Sequence, residues 1–231
     1  MYPLRIERMG RVPYGPMLTL QLQRRDDVLA QISDDTLFLL EHDRVITSGR
    51  NANHENLLYD RNALEARGVA LFQTGRGGDF TYHGPGQVVG YPIVQLRDGE
   101  CDIKAYVYAL EEIMIRTIAD FGVVAERVEG LRGIWVGHEK IGAIGVRMAR
   151  WITMHGFALN VDVDLHDFDL IVPCGIHGKG VCSLSQILGC PVAMHDVENR
   201  LIYHSAHVLH RSTYEAPASV LPEKMLSDIP E

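Results

Sequence analysis

The sequence predicts one α+β domain over residues 1–211, followed by a loosely ordered tail at 212–231. Two observations support this prediction. Short apolar runs bounded by turn residues alternate with amphipathic helical segments, and three strands between residues 133 and 161 are separated only by short turns, as in an antiparallel meander. No repeat, low-complexity tract or linker divides the 231 residues, so we expect a single core.

The first half of the chain alternates between predicted strands and helices. Residues 4–9 have the alternation of a strand, and Leu20, Val28 and Ile32 lie on the apolar side of a helix predicted over 14–31. The almost continuous apolar run at 36–41 predicts a buried strand. Two further strands, at 45–47 and 69–73, flank a short helix at 63–67.

The second half contains the clearest helix, at 103–121. It places Leu110, Ile113 and Met114 at helical spacing and ends at Gly122. A strand is predicted before this helix, at 88–96, and the meander follows it. The remaining predicted elements are helices at 183–189 and 196–211, after which several prolines indicate the loosely ordered tail.

The composition argues against several classes of protein. The net charge is −8 and the 22 basic residues form no cluster, so a nucleic-acid-binding surface is not expected. No apolar run approaches the roughly 20 residues that a membrane-spanning helix needs, and the N-terminus lacks the apolar segment of a signal peptide. We therefore expect a cytoplasmic protein with no nucleic-acid or membrane partner.

The cysteine content predicts free thiols. The chain has Cys101, Cys174, Cys182 and Cys190, and disulfides are rare in the cytoplasm. No two cysteines have the C-x₂₋₄-C spacing of a structural zinc site. We therefore predict no metal and no cofactor.

A Pro-Cys-Gly turn is the first candidate for chemistry. Pro173 precedes Cys174, and Gly175, Gly178 and Gly180 follow within six residues, which leaves backbone N–H groups accessible to a substrate. Such a turn can hold a nucleophilic thiol and stabilise an oxyanion. Because an inert buried cysteine occurs in similar turns, the turn alone leaves both interpretations open.

A second candidate is the segment at 75–87, which contains five glycines and one proline and predicts a long loop between strands. It has neither G-x-x-x-x-G-K-[ST] nor G-x-G-x-x-G, so a nucleotide site is not supported. We expect its backbone to approach a ligand closely, with Arg76, Thr81, Tyr82 and His83 as polar contacts.

Lys140 is the third candidate. Only four of the 22 basic residues are lysines, and this one lies at the edge of a predicted strand beside Ile141, Gly142 and Ala143. A solvated turn residue and a partly buried functional lysine both fit this position.

Three segments together resemble the octanoyltransferase family, the lipoyl(octanoyl) transferases of lipoate biosynthesis. They are Arg-Gly-Gly-Asp-Phe-Thr-Tyr-His-Gly-Pro-Gly-Gln at 76–87, Lys-Ile-Gly-Ala-Ile-Gly at 140–145 with His-Gly-Phe-Ala-Leu-Asn at 155–160, and Pro-Cys-Gly-Ile at 173–176 with Ser-Leu at 183–184. Their order and spacing match as well, from about residue 37 to 188. The resemblance implies the biotin/lipoate protein ligase fold, a mixed β-sheet with helices on one face.

The resemblance also implies an activity and its residues. The activity is transfer of an octanoyl group, without ATP or a cofactor, from acyl carrier protein to a lysine of lipoyl domains, those of 2-oxoacid dehydrogenases and of the glycine cleavage H protein. Cys174 matches the nucleophile that forms the acyl thioester, and Lys140 matches the lysine that lowers the pKa of the thiol. The implied acyl-substrate pocket comprises Arg76, Gly77, Gly78, Asp79, Phe80, Thr81, Tyr82, His83, Ala143, Ile144, Gly145, Gly156, Phe157 and Ala158.

This chain departs from the family pattern at two positions. Asp43-Arg44 stand where family members often have prolines, and Cys182 stands where most have threonine. The sequence does not say whether the Cys182 thiol faces the pocket. Three alternatives stay open: an ATP-dependent lipoate or biotin-type protein ligase, a cysteine acyl hydrolase, and a non-catalytic acyl- or lipoyl-binding protein. The pairing of Cys174 with Lys140 argues against the first and the third.

Overall fold

The computed structural model describes residues 1–172 and 179–223, which form twelve β-strands and five α-helices, with 3₁₀ turns at His54–Asn56 and Leu165–Leu170. The strands are β1 (Tyr2–Val12), β2 (Asp35–His42), β3 (Val45–Ser48), β4 (Ala70–Gln73), β5 (Phe80–His83), β6 (Gln87–Ile93), β7 (Glu126–Val128), β8 (Leu131–Val136), β9 (Glu139–Ala149), β10 (Ile152–Asn160), β11 (Gly180–Val181) and β12 (Arg211–Glu215). The helices are α1 (Tyr14–Leu29), α2 (Arg61–Glu65), α3 (Ile103–Ala119), α4 (Leu184–Leu188) and α5 (Met194–Val208).

Nine of these strands form one mixed sheet within the described ranges. Its order is β12-β1-β2-β6-β10-β9-β8-β7, and β11 pairs with β9. β1 is parallel to both of its neighbours and β11 is parallel to β9, whereas the other pairs are antiparallel. The predicted meander is confirmed as β8, β9 and β10. A second sheet, in the order β4-β3-β5, carries the glycine-rich segment.

Helices cover both faces of the large sheet. Leu37 and Leu39 of β2 belong to the apolar cluster under α3 and α5, whereas Phe38 and Leu40 belong to the cluster under α1. Successive strand residues point to opposite faces, so β2 is apolar throughout because both of its faces are covered. The buried strand predicted at 36–41 is therefore confirmed. The expectation of helices on one face only is wrong, because α1 supplies a second apolar layer.

Strands β5, β11 and β12 form where the sequence predicted irregular structure. β5 lies within the segment predicted as a loop and pairs antiparallel with β3. β12 lies within the predicted tail and pairs parallel with β1. Buried Arg211 anchors β12, because its guanidinium donates to Asp35 at 3.0 Å and to both carboxylate oxygens of Glu100 at 2.8 Å. These partners are distant in sequence, so no local pattern indicates the strand.

Residues 173–178, which include Cys174, lie outside the described residues, as does the end of the tail from residue 224. Within the described part of the chain, no helix is long and apolar enough to cross a membrane.

Candidate active site

A cavity of about 610 Å³ is enclosed by β9 and β10, the glycine-rich segment, the first turn of α3 and the turn between β7 and β8. Its volume is in the range of small-molecule sites. Apart from Tyr82, every predicted site residue that the structure describes lines this cavity: Arg76, Gly77, Gly78, Asp79, Phe80, Thr81, His83, Lys140, Ala143, Ile144, Gly145, Gly156, Phe157 and Ala158. The fold thus brings together segments that are up to 82 positions apart, from Arg76 to Ala158.

Small residues form one patch of the cavity wall. Gly145 of β9 lies opposite Gly156 of β10, and Ala143 lies opposite Ala158. Because residues two apart on a strand share a face, the four positions form one surface with no side chain larger than a methyl group. An aliphatic chain can bury its methylene groups against such a surface.

Packing within the protein also requires the two glycines. A Cβ atom at Gly145 would lie 2.8 Å from Cδ of Arg76, and one at Gly156 would lie 2.1 Å from the carbonyl oxygen of Gly90. The first contact involves the buried side chain of Arg76, whereas the second involves the backbone of β6. Gly156 is therefore needed for the pairing of β10 with β6, whatever the cavity binds.

Arg76 holds the glycine-rich segment against β3. Its Nε donates to Oγ1 of Thr47 at 3.2 Å, and Nη2 donates to the carbonyl oxygen and to Oγ1 of the same residue at 2.6 and 2.9 Å. A third nitrogen, Nη1, donates to the carbonyl oxygen of Gly77 at 3.0 Å. The guanidinium thus has a structural role at the cavity wall.

Tyr82 lies away from the cavity. Its ring packs against Phe168, and its hydroxyl donates to Asp167 at 2.5 Å, where Arg44 also binds. The polar contact with a ligand that we expected of Tyr82 is therefore replaced by a buried contact with the 3₁₀ turn at Leu165–Leu170.

Lys140 is buried in the cavity wall, with 7% of its surface exposed. Its Nζ lies 4.9 Å from the ring centre of Trp135, and Nζ of Lys179 lies 5.1 Å from the same ring. Cations are attracted to the face of an indole ring. The sequence left a solvated turn residue and a buried lysine open, and the structure places Lys140 in the buried class.

The residues on both sides of the segment that carries Cys174 are bound to other parts of the structure, and one of these parts is the cavity wall at Lys140. On one side, the N–H of Val172 donates to the carbonyl oxygen of Asn56 at 2.8 Å. On the other side, Val181 of β11 pairs with Lys140, whose carbonyl oxygen accepts from the N–H of Cys182 at 3.1 Å. The residues that follow the Cys174 segment, Val181 and Cys182, therefore lie directly beside Lys140.

Asp79, which lines the cavity, also binds Asn56, the residue to which Val172 is attached. Its carboxylate accepts from the backbone N–H of Asn53 at 3.1 Å and from the side-chain amide of Asn56, the residue that binds Val172. Asp79 thus holds the turn at His54–Asn56 through one hydrogen bond to Asn53 and one to Asn56. Loss of the carboxylate removes two of the contacts that position the residue to which Val172 is bound.

We expect Asp79→Ala to slow acylation of Cys174 by about 10- to 100-fold, because small displacements of reacting groups have effects of this size. The measurement is the single-turnover rate of acylation. Asp60→Ala is the matched control, because it removes the N-cap hydrogen bond to Ala63 in the neighbouring helix α2 without touching Asn56. Equal acylation rates in the two variants would contradict the role of Asp79.

Cys182 does not face the cavity. It is almost fully buried in the core under α3 and α5, and its N–H and carbonyl groups bond to Lys140 and Asn160. Burial raises the pKa of its thiol to about 12, and the negative charge of Glu139 adds to this shift. Its position in place of the family's threonine therefore supplies no second nucleophile.

Sequence reasoning missed eleven residues of the cavity wall. In the sequence, the cavity residues from α1 and β6 looked like ordinary core residues. His155 could have been found, because it precedes Gly156 in the motif at 155–160. The missed residues are Tyr14, Asn51, Tyr91, Ile103, Lys104, Val107, Gly130, Leu131, Arg132, Val146 and His155.

A kink in β10 brings His155 to the cavity. The residue has a left-handed backbone with φ 57°, opposite the part of β6 that contains Pro92. Thr153 bridges the interrupted ladder, because its hydroxyl donates to the carbonyl oxygen of Pro92 at 2.7 Å and accepts from the N–H of Val94 at 2.9 Å. Left-handed backbone at a residue other than glycine is strained, and such strain is common at functional sites.

Three histidines at or behind the cavity wall are neutral. Burial lowers the pKa of His42 to about 4 and those of His83 and His155 to about 3. The unfolded chain binds protons at these residues below about pH 6.5, whereas the folded chain does so only near pH 4 or below. Their contribution to stability is therefore present at pH 7 and is lost as the pH falls through this window.

We expect the free energy of unfolding to fall by about 3 kcal/mol between pH 7 and pH 5.5, at about 1 kcal/mol for each of the three histidines. Urea unfolding at the two pH values measures the change. His207→Ala, at an exposed position on α5, should leave the difference between the two values unchanged. Equal stability at both pH values would show that these histidines are not neutral in the folded chain.

No group of three histidine, cysteine, aspartate or glutamate side chains suited to a metal ion occurs among residues 1–172 and 179–223.

The fold and the cavity define a known class of protein. Residues 15–206 match the family model of the lipoyl protein ligase A/B catalytic domain. A bipartite lipoate protein ligase from Thermoplasma acidophilum has the same fold, with a TM-score of 0.75 and 18% identity over 95% of this chain and 88% of that one. Biotin protein ligase from Aquifex aeolicus has a TM-score of 0.57 and 10% identity over 89% and 70% of the two chains. The predicted biotin/lipoate protein ligase fold is confirmed.

Relatives named octanoyltransferase are more similar in sequence. The octanoyltransferase of Solibacter usitatus is 48% identical over 203 residues, which cover 88% of this chain and 91% of the relative. That of Flavobacterium johnsoniae is 46% identical over 201 residues, which cover 84% and 87%. The chain belongs to the octanoyltransferase family, as its motifs predicted.

Proposed function

We propose that this protein is an acyltransferase of lipoate biosynthesis that moves an octanoyl group onto a lysine of a lipoyl domain. The observation that carries the proposal is the cavity, in which the patch of small residues begins at Ala143, three positions after Lys140 on the same strand. The seven carbons beyond the carbonyl carbon can contribute about 6 kcal/mol, at about 0.8 kcal/mol per buried CH₂. The family's relatives carry the name octanoyltransferase, which agrees with this use of the cavity.

Acyl carrier protein is the proposed donor, and Cys174 is the proposed nucleophile. The Cys174 thiolate, stabilised by the ammonium group of Lys140, attacks the carbonyl carbon of the donor thioester. A new C–S bond forms, the C–S bond to the carrier breaks, and the departing thiolate takes a proton from Lys140. One thioester replaces another, so the step needs no ATP.

The second half-reaction restores the starting state. A lysine amine of the lipoyl domain, having lost one proton to solvent, attacks the acyl-enzyme. The C–N bond forms and the C–S bond to Cys174 breaks, while neutral Lys140 takes a proton from the nitrogen. The enzyme again holds a thiolate and an ammonium group, and the product is an amide. The proposed acceptors are the lipoyl domains of 2-oxoacid dehydrogenases and the glycine cleavage H protein.

The charges around the cavity favour acidic partners. Lys104 and Arg132 line it and are exposed, and Lys140 and Lys179 lie deeper, over Trp135. Among the described residues that line the cavity, Asp79 carries the one carboxylate, and it is bound to Asn53 and Asn56. This local positive charge is opposite in sign to the net charge of the chain, which is −8.

The cytoplasmic location expected from the sequence stays a prediction.

Incubation with octanoyl-acyl carrier protein, followed by intact-mass analysis and peptide mapping, tests the proposal. We expect one octanoyl adduct at Cys174 that hydroxylamine removes and that a lipoyl domain removes by accepting the acyl group. An ATP-dependent ligase would instead activate free octanoate with ATP and remain active as Cys174→Ala. A hydrolase would release octanoate without an acceptor. A binding protein would form no adduct.

A further inference from the structure

A directed chain of hydrogen bonds runs from His83 to the backbone of Lys140. His83 Nδ1 lies 2.7 Å from Oε1 of Gln87, and Nε2 of Gln87 donates to Oδ1 of Asn160 at 2.9 Å. Nδ2 of Asn160 donates to the carbonyl oxygen of Cys182 at 3.0 Å, and the N–H of Cys182 donates to the carbonyl oxygen of Lys140 at 3.1 Å. Three residues from three separate segments, Gln87, Asn160 and Cys182, thus connect the cavity histidine to the strand of Lys140.

The backbone fixes the direction of every bond in this chain. A carbonyl oxygen only accepts, so Asn160 must present its NH₂ group to Cys182 and its oxygen to Gln87. Gln87 then presents its NH₂ group to Asn160 and also to the carbonyl oxygen of Tyr82, at 3.3 Å. Its oxygen is left to face His83. The nitrogen of His83 that bonds to this oxygen must therefore carry the proton.

The opposite nitrogen of His83, Nε2, is consequently an acceptor. His83 is neutral because burial lowers its pKa to about 3; the proximity of His42, Arg76 and His155 adds to the decrease, and the hydrogen bond that His83 donates to Gln87 opposes it. Nε2 makes no hydrogen bond to any residue in the described ranges, and the atom is accessible at the cavity that His83 lines. An accessible acceptor on a cavity wall is suited to a donor on a ligand.

We propose that Nε2 of His83 accepts an N–H of the attacking lysine amine, and that Gln87 and Asn160 are positioning residues that hold His83 in the required tautomer. The inference rests on the proposed octanoyl transfer. A primary amine carries two hydrogens; Lys140 removes one as the C–N bond forms and the C–S bond breaks, and the other stays on the amide nitrogen. His83 binds the hydrogen that stays, which directs the nitrogen lone pair to the carbonyl carbon. His83 therefore acts in the second half-reaction only.

The test separates the two half-reactions in three variants of His83. Octanoyl-enzyme is formed from octanoyl-acyl carrier protein, purified, and mixed with a lipoyl domain. In His83→Phe and His83→Asn we expect transfer to fall by about 10- to 100-fold more than acylation, and the acylation that remains shows that the variants fold. His83→Gln can place its amide oxygen near the position of Nε2 and should recover part of the transfer rate. His204→Asn, at a buried histidine bound to Asp120 outside the cavity, is the matched control and should leave both rates unchanged.

The positioning role has its own readout. ¹⁵N NMR of the imidazole should find His83 with the proton on Nδ1, and Gln87→Leu should convert this to a mixture of tautomers and slow transfer but not acylation. A single tautomer with the proton on Nε2, or unchanged transfer in His83→Phe, would overturn the proposal.

The donor is the other possible source of the N–H, because its prosthetic arm contains amides. A loss of acylation in His83→Phe with octanoyl-acyl carrier protein, but not with the octanoyl thioester of ethanethiol, would assign the N–H to the donor and overturn the assignment to the amine. Absence of an adduct in the protein with His83 intact is a different result, because it contradicts the proposed function itself.

Discussion

Replacing Cys174 with alanine is expected to abolish octanoyl transfer. The thiolate is the one group proposed to hold the acyl chain between donor and acceptor, so we expect kcat/KM to fall by at least about 10⁴-fold, as when other enzymes lose a covalent nucleophile. Mass spectrometry of the lipoyl domain after incubation with octanoyl-acyl carrier protein measures the product.

Cys101→Ala and Cys190→Ala are the controls, because both thiols are exposed and neither lines the cavity. Each should retain activity within about 2-fold. Transfer by Cys174→Ala at more than a tenth of the normal rate would rule out the covalent route and favour direct attack of the amine on the donor.

Replacing Lys140 with arginine is expected to separate the two half-reactions. Arginine is charged at every usable pH, so it can stabilise the Cys174 thiolate. The acyl-enzyme can still form, because the departing carrier thiolate can take its proton from solvent. It cannot serve as the base that takes a proton from the attacking amine. We expect acylation to continue and transfer to fall by about 10²- to 10⁴-fold, the usual contribution of a general base. Octanoyl-enzyme should then accumulate in the intact-mass spectrum.

Lys179→Arg is the matched control for this experiment. The ammonium groups of Lys179 and Lys140 both lie over the ring of Trp135. Lys179→Arg therefore makes the same chemical change at a neighbouring position. We expect it to leave transfer within a few-fold of normal. Equal transfer by Lys140→Arg and the unmodified protein would assign the base to another residue.

Part of the fold could be predicted from the spacing of apolar residues along the chain, because this spacing follows which side of a strand or helix is buried. The run at 36–41 is apolar because both faces of β2 are covered, and α3 has helical spacing because one of its sides packs against the sheet. β12 left no such pattern. Its residues are polar and four of the five are exposed, and it forms because Arg211 meets Asp35 and Glu100 from other parts of the chain.

The same distinction holds for the cavity. Arg76 and Tyr82 look equivalent in the sequence, as two polar residues of one glycine-rich segment. In the structure, Arg76 lines the cavity while its donors bind Thr47, and Tyr82 turns to Asp167. Which face of a short strand points to a ligand depends on the sheet that the strand joins. The sequence did not predict β5 as a strand, because the glycines around it indicate a loop.

The sequence by itself determined the family, most of the strands and helices along the chain, and the identity of Cys174 and Lys140 as the candidate reactive pair, because motifs and periodicity are local properties of a chain. Only the tertiary structure decided that helices cover both faces of the sheet, that Cys182 is buried in the core, and that Asp79 binds Asn56, which in turn binds Val172. It also decided the tautomer of His83, through Gln87 and Asn160. The reason is physical: burial and the direction of a hydrogen bond depend on which distant atoms meet, and no local pattern carries that information.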